Sequence, residues 1–330
     1  MGNTGVMSDH QGFMKKRWWV ALAAVLMQLC LGTVYAWSIF KKLMMEANSW
    51  GETQTQFAFM IYGAVFSLAV AFGGNLVDRL GPRIVALTGG ALFSAGVFLG
   101  GLANQLQRIE LLVVAYGLVG GLGGGFGYVT PIATLIRWFP DKRGLVTGLA
   151  VMGYGLGAFF MGNAGPSLIM NLGIPTTFYI WGGASLVVIT ASAFILRNPP
   201  DQWHLGVPLS RTGSGQGSGR SSSFPEAMHS GRFWILWMML FVSITAGLGL
   251  ISQLSPMAQD VMIRASEGPV SDERMTAIIL TSGTLVALAG LFNGVGRLAW
   301  AWVSDTLGRK TVFSIIYVSF VLGFVALAHV

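Results

Sequence analysis

DRLGPR, residues Asp78 to Arg83, and DTLGRK, residues Asp305 to Lys310, decide how this chain is built. Each stands between two long apolar runs, and each places an aspartate, a glycine and basic residues in the same order. The first copy extends backwards to Gly74, four residues before Asp78, where the second has Ala301. One acidic-basic turn is commonplace in any sequence. Two copies in the same orientation, at the same place in two groups of apolar runs, indicate a parallel internal repeat.

Around the two copies the sequence is dominated by apolar residues: 53% are hydrophobic and 10% charged, against about a quarter charged in water-soluble domains. Nine runs of about 20 residues or more can be read, at 18–40, 54–77, 84–103, 109–136, 145–168, 178–196, 233–257, 276–303 and 311–330. They predict an all-α membrane protein. The formal charge of +7 would suit a nucleic-acid binder, but its distribution argues for topology instead. With the N-terminus in the cytoplasm, Lys15, Lys16, Arg17, Arg79, Arg83, Arg137, Lys142, Arg143, Arg197, Arg211, Arg220, Arg232, Arg309 and Lys310 lie inside. Only Lys41, Lys42, Arg108, Arg264 and Arg274 lie outside, which sets the orientation by the positive-inside rule. The expected location is a plasma or inner membrane, with the lipid bilayer and not nucleic acid as the surroundings. No secretory leader is read before the first run, which is long enough to remain as an anchor. The one cysteine, Cys30, lies in an apolar run, so the sequence predicts no intrachain disulfide.

Six runs precede a polar connection and three follow it. Residues 1–196 are expected to form a six-helix transmembrane bundle, 197–232 a cytoplasmic linker, and 233–330 helices seven to nine of a partial second bundle. SRTGSGQGSGRSSS (Ser210 to Ser223) buries little apolar surface and reads as flexible. PEAMHSGRFW (Pro225 to Trp234) reads as an amphipathic lead-in to helix seven. Since the second group stops at Val330, the chain is expected to lack three further helices and not to transport by itself.

The repeated loop carries the first functional expectation. An aspartate at the inner end of a helix can accept from backbone N–H groups at a neighbouring helix start, where the dipole favours negative charge. Asp78, Arg79, Gly81 and Arg83, with Asp305, Gly308 and Arg309, are therefore read as a gate; a turn that only sets topology is the plainer alternative. RWFPDKRGLVTG (Arg137 to Gly148) places Asp141 near the cap of helix five, where Asp305 could face it. The glycines of GLVGGLGGGFGY (Gly117 to Tyr128) and GYGLGA (Gly153 to Ala158) are spaced for close helix packing rather than for a nucleotide.

Arg297 is the most informative residue. It lies eight residues before Asp305, so its backbone sits roughly 12 Å from the inner mouth in a hydrocarbon core about 30 Å thick. A cation at that depth costs about 2.5–3.5 kcal/mol on insertion scales. Ser282, Gly290, Asn293 and Arg297 share one helical face, and no Asp or Glu lies well inside any predicted span. A cation without an internal acidic partner suits anion binding. Gln28, Gly32 and Tyr35 share a face of helix one; Gln56, Tyr128 and Tyr154 add neutral polar groups from helices two, four and five. Phenol and amide donors can hold a carboxylate without further charge. His10, His204, His229 and His329 lie in tails or loops, so neither metal nor cofactor is called for.

With YAWSIF (Tyr35 to Phe40), DRLGPR, RWFPDKRG, GYGLGA and LFNGVGRLAWAWVSDTLGRK (Leu291 to Lys310), the chain resembles the oxalate/formate antiporter family of major facilitators almost throughout. The resemblance implies a major facilitator fold with Tyr35, Gln56, Tyr128 and Tyr154 at neutral pocket positions and Arg297 facing a carboxylate. Two departures weaken oxalate itself: Val34 stands where the oxalate type has glutamine, and the family's second pocket cation, a helix-eleven lysine, has no counterpart within these 330 residues. The expected function is secondary transport of small carboxylates, oxalate/formate-like or monocarboxylate, by alternating access, with a complete carrier working as a monomer. An efflux carrier for hydrophobic compounds and a non-transporting fragment are the alternatives. No catalytic constellation is visible, so an enzyme is not expected.

Overall fold

The computed structural model describes residues 3–200, 226, 228–266 and 268–327, with the side chains of residues 3–15, 301 and 305 outside that description. Among the described residues, nine helices are long and apolar enough to cross a membrane. They are α1 (Lys16–Asn48), α2 (Glu52–Leu80), α3 (Pro82–Gln105), α4 (Ile109–Trp138), α5 (Arg143–Leu172), α6 (Ile174–Ile195), α7 (Gly231–Arg264), α8 (Asp272–Leu307) and α9 (Arg309–Leu327). Most run several residues past the apolar stretch that predicts them, because the polar end turns keep their backbone bonds by staying helical. Residues 201–225 of the expected linker, including Ser210 to Ser223, lie outside the described residues, as do His204, His329 and the side chain of His10.

The sequence repeat is also a backbone repeat. Gly81, between α2 and α3, has φ +83°, and Gly308, between α8 and α9, has φ +82°. Each donates its N–H to the helix it terminates, to the Val77 carbonyl at 3.0 Å and the Ser304 carbonyl at 3.1 Å. With ψ of 158° and 148°, both occupy a corner that side chains with a Cβ avoid. This is why the motif needs glycine there.

The aromatic core sits within the first six helices, where Trp37, Phe40, Phe93, Tyr116, Trp138 and Phe178 are fully buried. The outer surface is the reverse of a soluble protein's: Phe72, Val187, Phe292 and Trp302 are each more than two-thirds exposed, as lipid contact requires. Glycine packing forms the bundle. A Cβ on Gly117, Gly121 or Gly125 of α4 would come within 3.0 Å of the Ala58, Tyr62 or Phe66 carbonyl of α2. α5 and α8 run antiparallel at close approach, with Gly148 against Leu298, Gly155 against Gly294, Gly162 against Ala287 and Gly283 against Pro166. This contact carries α8, and with it Arg297, onto the six-helix group.

Candidate functional site

α8 ends ten residues beyond Arg297, so at 1.5 Å per residue the arginine backbone lies roughly 15 Å from that helix end, near the middle of a bilayer. Its guanidinium is held from two sides. Nε donates to Asn293 Oδ1 at 3.1 Å, one turn earlier on the same helix. Nη2 donates to the Tyr35 hydroxyl of α1 at 3.3 Å. Among the described residues no carboxylate lies within ion-pair distance of it; the four ion pairs found are all elsewhere.

Tyr35 sits in a tighter turn, Thr33–Ala36, that interrupts α1. Just before it, Gly32 packs so closely on the Tyr154 carbonyl of α5 that any Cβ would overlap it. The two rings follow from that contact: Tyr35 and Tyr154 meet edge to face at 5.0 Å. Tyr154 meets Tyr128 of α4 in the same manner at 5.1 Å, and Phe66 of α2 closes the group at 5.4 Å from Tyr128. Gln28 fixes α1 to α4 by donating to the Tyr128 carbonyl at 3.1 Å. Arg297, Tyr35, Tyr128 and Tyr154, singled out by sequence on four different helices, thus form one connected cluster. Gln56 is not joined to it by any hydrogen bond among the described residues. It lies ten residues before Phe66 on α2, roughly 15 Å along the axis, with its Oε1 buried and unpaired.

A void of about 10 Å³ lies between Tyr35, Ala158, Ile251, Leu254, Gly290 and Asn293. It has room for about one water, and Tyr35 and Asn293, the two residues bonded to the Arg297 guanidinium, are in its wall. Two contacts at the end of the bundle reached by Asn48 and Arg264 tie α1 to α7 over that void. Lys41 Nζ, 1% exposed, donates to Glu52 Oε1 of α2 and to Gln253 Oε1 of α7, both at 2.8 Å. Lys42 Nζ pairs with Asp260 Oδ1 of α7 at 2.7 Å. Sequence alone places both lysines outside the membrane and gives them no partners. The signal for the pairing is faint: opposite charges at equivalent heights on the ends of two helices.

At the other end, Asp78 accepts from Arg137 of α4, and Arg137 also donates to Asn198 at 2.8 Å. Arg83 donates to the Phe194 carbonyl of α6 at 2.6 Å. Arg79, Gly308 and Arg309 lie at the same end; the Asp305 side chain is outside the described residues. Asp141 does not cap α5, which starts at Arg143 with Lys142 before it. Instead it accepts from Arg17 Nη1 at 3.2 Å, because the turn after Phe139 aims its carboxylate back at α1. Among the described residues no group of three His, Cys, Asp or Glu side chains comes together.

A helical membrane bundle with a repeated glycine corner and a buried cation at mid-depth defines a solute carrier. The chain belongs to the major facilitator superfamily, whose family model matches residues 18–330. It is similar to the oxalate:formate antiporter of Oxalobacter formigenes, 29% identical over 317 residues, 96% of this chain and 70% of the relative. The uncharacterized MFS-type transporter YhjX of Escherichia coli (strain K12) is 25% identical over 315 residues, 96% of this chain and 73% of the relative. Apicoplast pyruvate carrier 1 of Toxoplasma gondii is 24% identical over 398 residues, 92% of this chain and 71% of the relative.

Proposed function

We propose that the protein binds small organic carboxylates at Arg297 and carries them by alternating access. One observation carries this reading: a guanidinium near the membrane midplane is held by two neutral oxygens, Asn293 Oδ1 and Tyr35 OH, with no acidic partner among the described residues. The substrate's charge is then the natural counter-ion. Tyr128 and Tyr154 line the same cluster, and two of the similar proteins are named for oxalate with formate and for pyruvate. Gln56, with its buried and unpaired Oε1 farther along α2, would meet the substrate away from Arg297. Asp78, Arg79, Gly81 and Arg83, with Asp305, Gly308 and Arg309, serve the gate at the basic end, which faces the cytoplasm together with the N-terminus.

Equilibrium binding to the purified protein tests the site. Acetate should stabilise the wild type against heat in a saturable manner, and Arg297→Gln should abolish that effect. Arg297→Lys should bind far more weakly, since an ammonium lacks the planar fork. Unchanged acetate binding in Arg297→Gln, or stabilisation by hydrophobic cations in place of carboxylates, overturns the reading.

A further inference from the structure

We infer that Asn293 is a positioning residue that makes Arg297 receive a carboxylate end-on, through Nη1 and Nη2. The inference rests on the carboxylate reading above and goes further by naming the edge used and the residue that selects it.

A guanidinium offers a carboxylate two forks. One is formed by Nε and Nη2, which lie side by side along the side chain; the other by Nη1 and Nη2 at the tip. Here both nitrogens of the first fork have protein oxygens on them: Asn293 Oδ1 on Nε at 3.1 Å and Tyr35 OH on Nη2 at 3.3 Å. The Tyr128 hydroxyl also faces the guanidinium, but no protein oxygen among the described residues is bonded to Nη1 at full hydrogen-bond distance, and Nη2 keeps a second N–H. The tip is therefore the fork left for two oxygens of a planar anion.

Asn293 is itself fixed by backbone packing. A Cβ on Gly155 of α5 would meet Gly294 Cα and N at 2.6 Å and Asn293 Oδ1 at 2.9 Å. The close crossing of α5 and α8 thus presses the amide oxygen into a set place, one helical turn from the arginine it holds. Long arginine side chains have much rotamer freedom, and an acceptor on Nε removes most of it before the anion arrives.

Discrimination by shape tests this. A fork set at a fixed heading favours a planar two-oxygen anion over a spherical one, whereas net charge attracts both. Acetate and chloride are the probes, each titrated against the purified full chain. In Asn293→Ala, acetate affinity should fall ~10-fold while chloride affinity changes less than ~3-fold, so that selectivity collapses. Asn293→Asp keeps the size and the acceptor but adds a countercharge, and should weaken both anions strongly at an unchanged unfolding temperature. This variant keeps the packing against Gly155 and decides the matter if the alanine variant fails to fold. Equal loss of acetate and chloride in Asn293→Ala, no loss in it, or wild-type acetate binding in Asn293→Asp would overturn the inference. Acetate binding that survives Arg297→Gln would instead remove the carboxylate site itself.

Discussion

Lys42 of α1 and Asp260 of α7 are joined at 2.7 Å, although 218 residues separate them in the chain. The contact lies beside the buried Lys41–Gln253 bond, and the two together hold α1 to α7, the helices that bring Tyr35, Ile251 and Leu254 to the small void. They join the first six helices to α7 at that end. Opening that end would break Lys42–Asp260 and Lys41–Gln253 but would leave Lys41 with Glu52, its partner on α2.

Asp260→Ala should therefore loosen the closed arrangement without touching the anion site. The side chains are 21% and 57% exposed, so solvent screens the pair and its loss is worth about 0.2–1 kcal/mol. That corresponds to a rise of up to ~5-fold in the open population. A cysteine at Leu254, which lines the void, reports it in a Cys30→Ser background. A small aqueous thiol reagent should label Leu254→Cys faster when Asp260 is alanine. Equal labelling rates would show that the pair does not restrain this end.

The two glycine corners make a second expectation, about stability. Alanine at Gly81 or Gly308 would be held at φ above +80°, in a region nearly restricted to glycine, at a cost of about 1–3 kcal/mol each. Gly74, in the same motif, has no positive φ and open space where a Cβ would stand, so Gly74→Ala should be nearly neutral. Thermal unfolding of the three variants makes the comparison. If Gly81→Ala is as stable as Gly74→Ala, the corner is not what the repeat preserves.

Most of this architecture was legible because it is written locally. Nine apolar runs are nine helices among the described residues, since a bilayer leaves a single chain segment few other ways to satisfy its backbone. The glycine of each repeat fixes a corner by itself, and the depth of Arg297 follows from counting residues to the helix end. Tyr35, Tyr128 and Tyr154 could be suspected one by one, but their ring-to-ring contacts depend on how α1, α4 and α5 cross. The pairing of Lys42 with Asp260 was barely legible, and that of Asp141 with Arg17 and of Asp78 with Arg137 was not legible. Each links parts of the chain that are far apart in sequence, and single charges near helix ends have many candidate partners until the bundle is assembled.

The last expectation separates hydroxyl from ring within the tyrosine cluster. Tyr35 touches the arginine through its oxygen, at a distance that is long for an N–H···O bond. Tyr154, 3% exposed, meets Tyr35 and Tyr128 ring to ring, with its carbonyl pressed against Gly32. Removing the Tyr35 hydroxyl takes away one of the two oxygens bonded to the guanidinium, so Tyr35→Phe should weaken acetate binding ~3- to 10-fold with little change in unfolding temperature. Tyr154→Phe keeps both ring contacts and should change acetate affinity less than ~2-fold. Tyr154→Ala removes the rings' common neighbour from a buried position and should lower stability by about 3–5 kcal/mol. Acetate titration and thermal unfolding of the three variants give the pattern directly. Should Tyr154→Phe lose as much affinity as Tyr35→Phe, the Tyr154 hydroxyl also acts on the anion, and the ring-only role assigned to it is wrong.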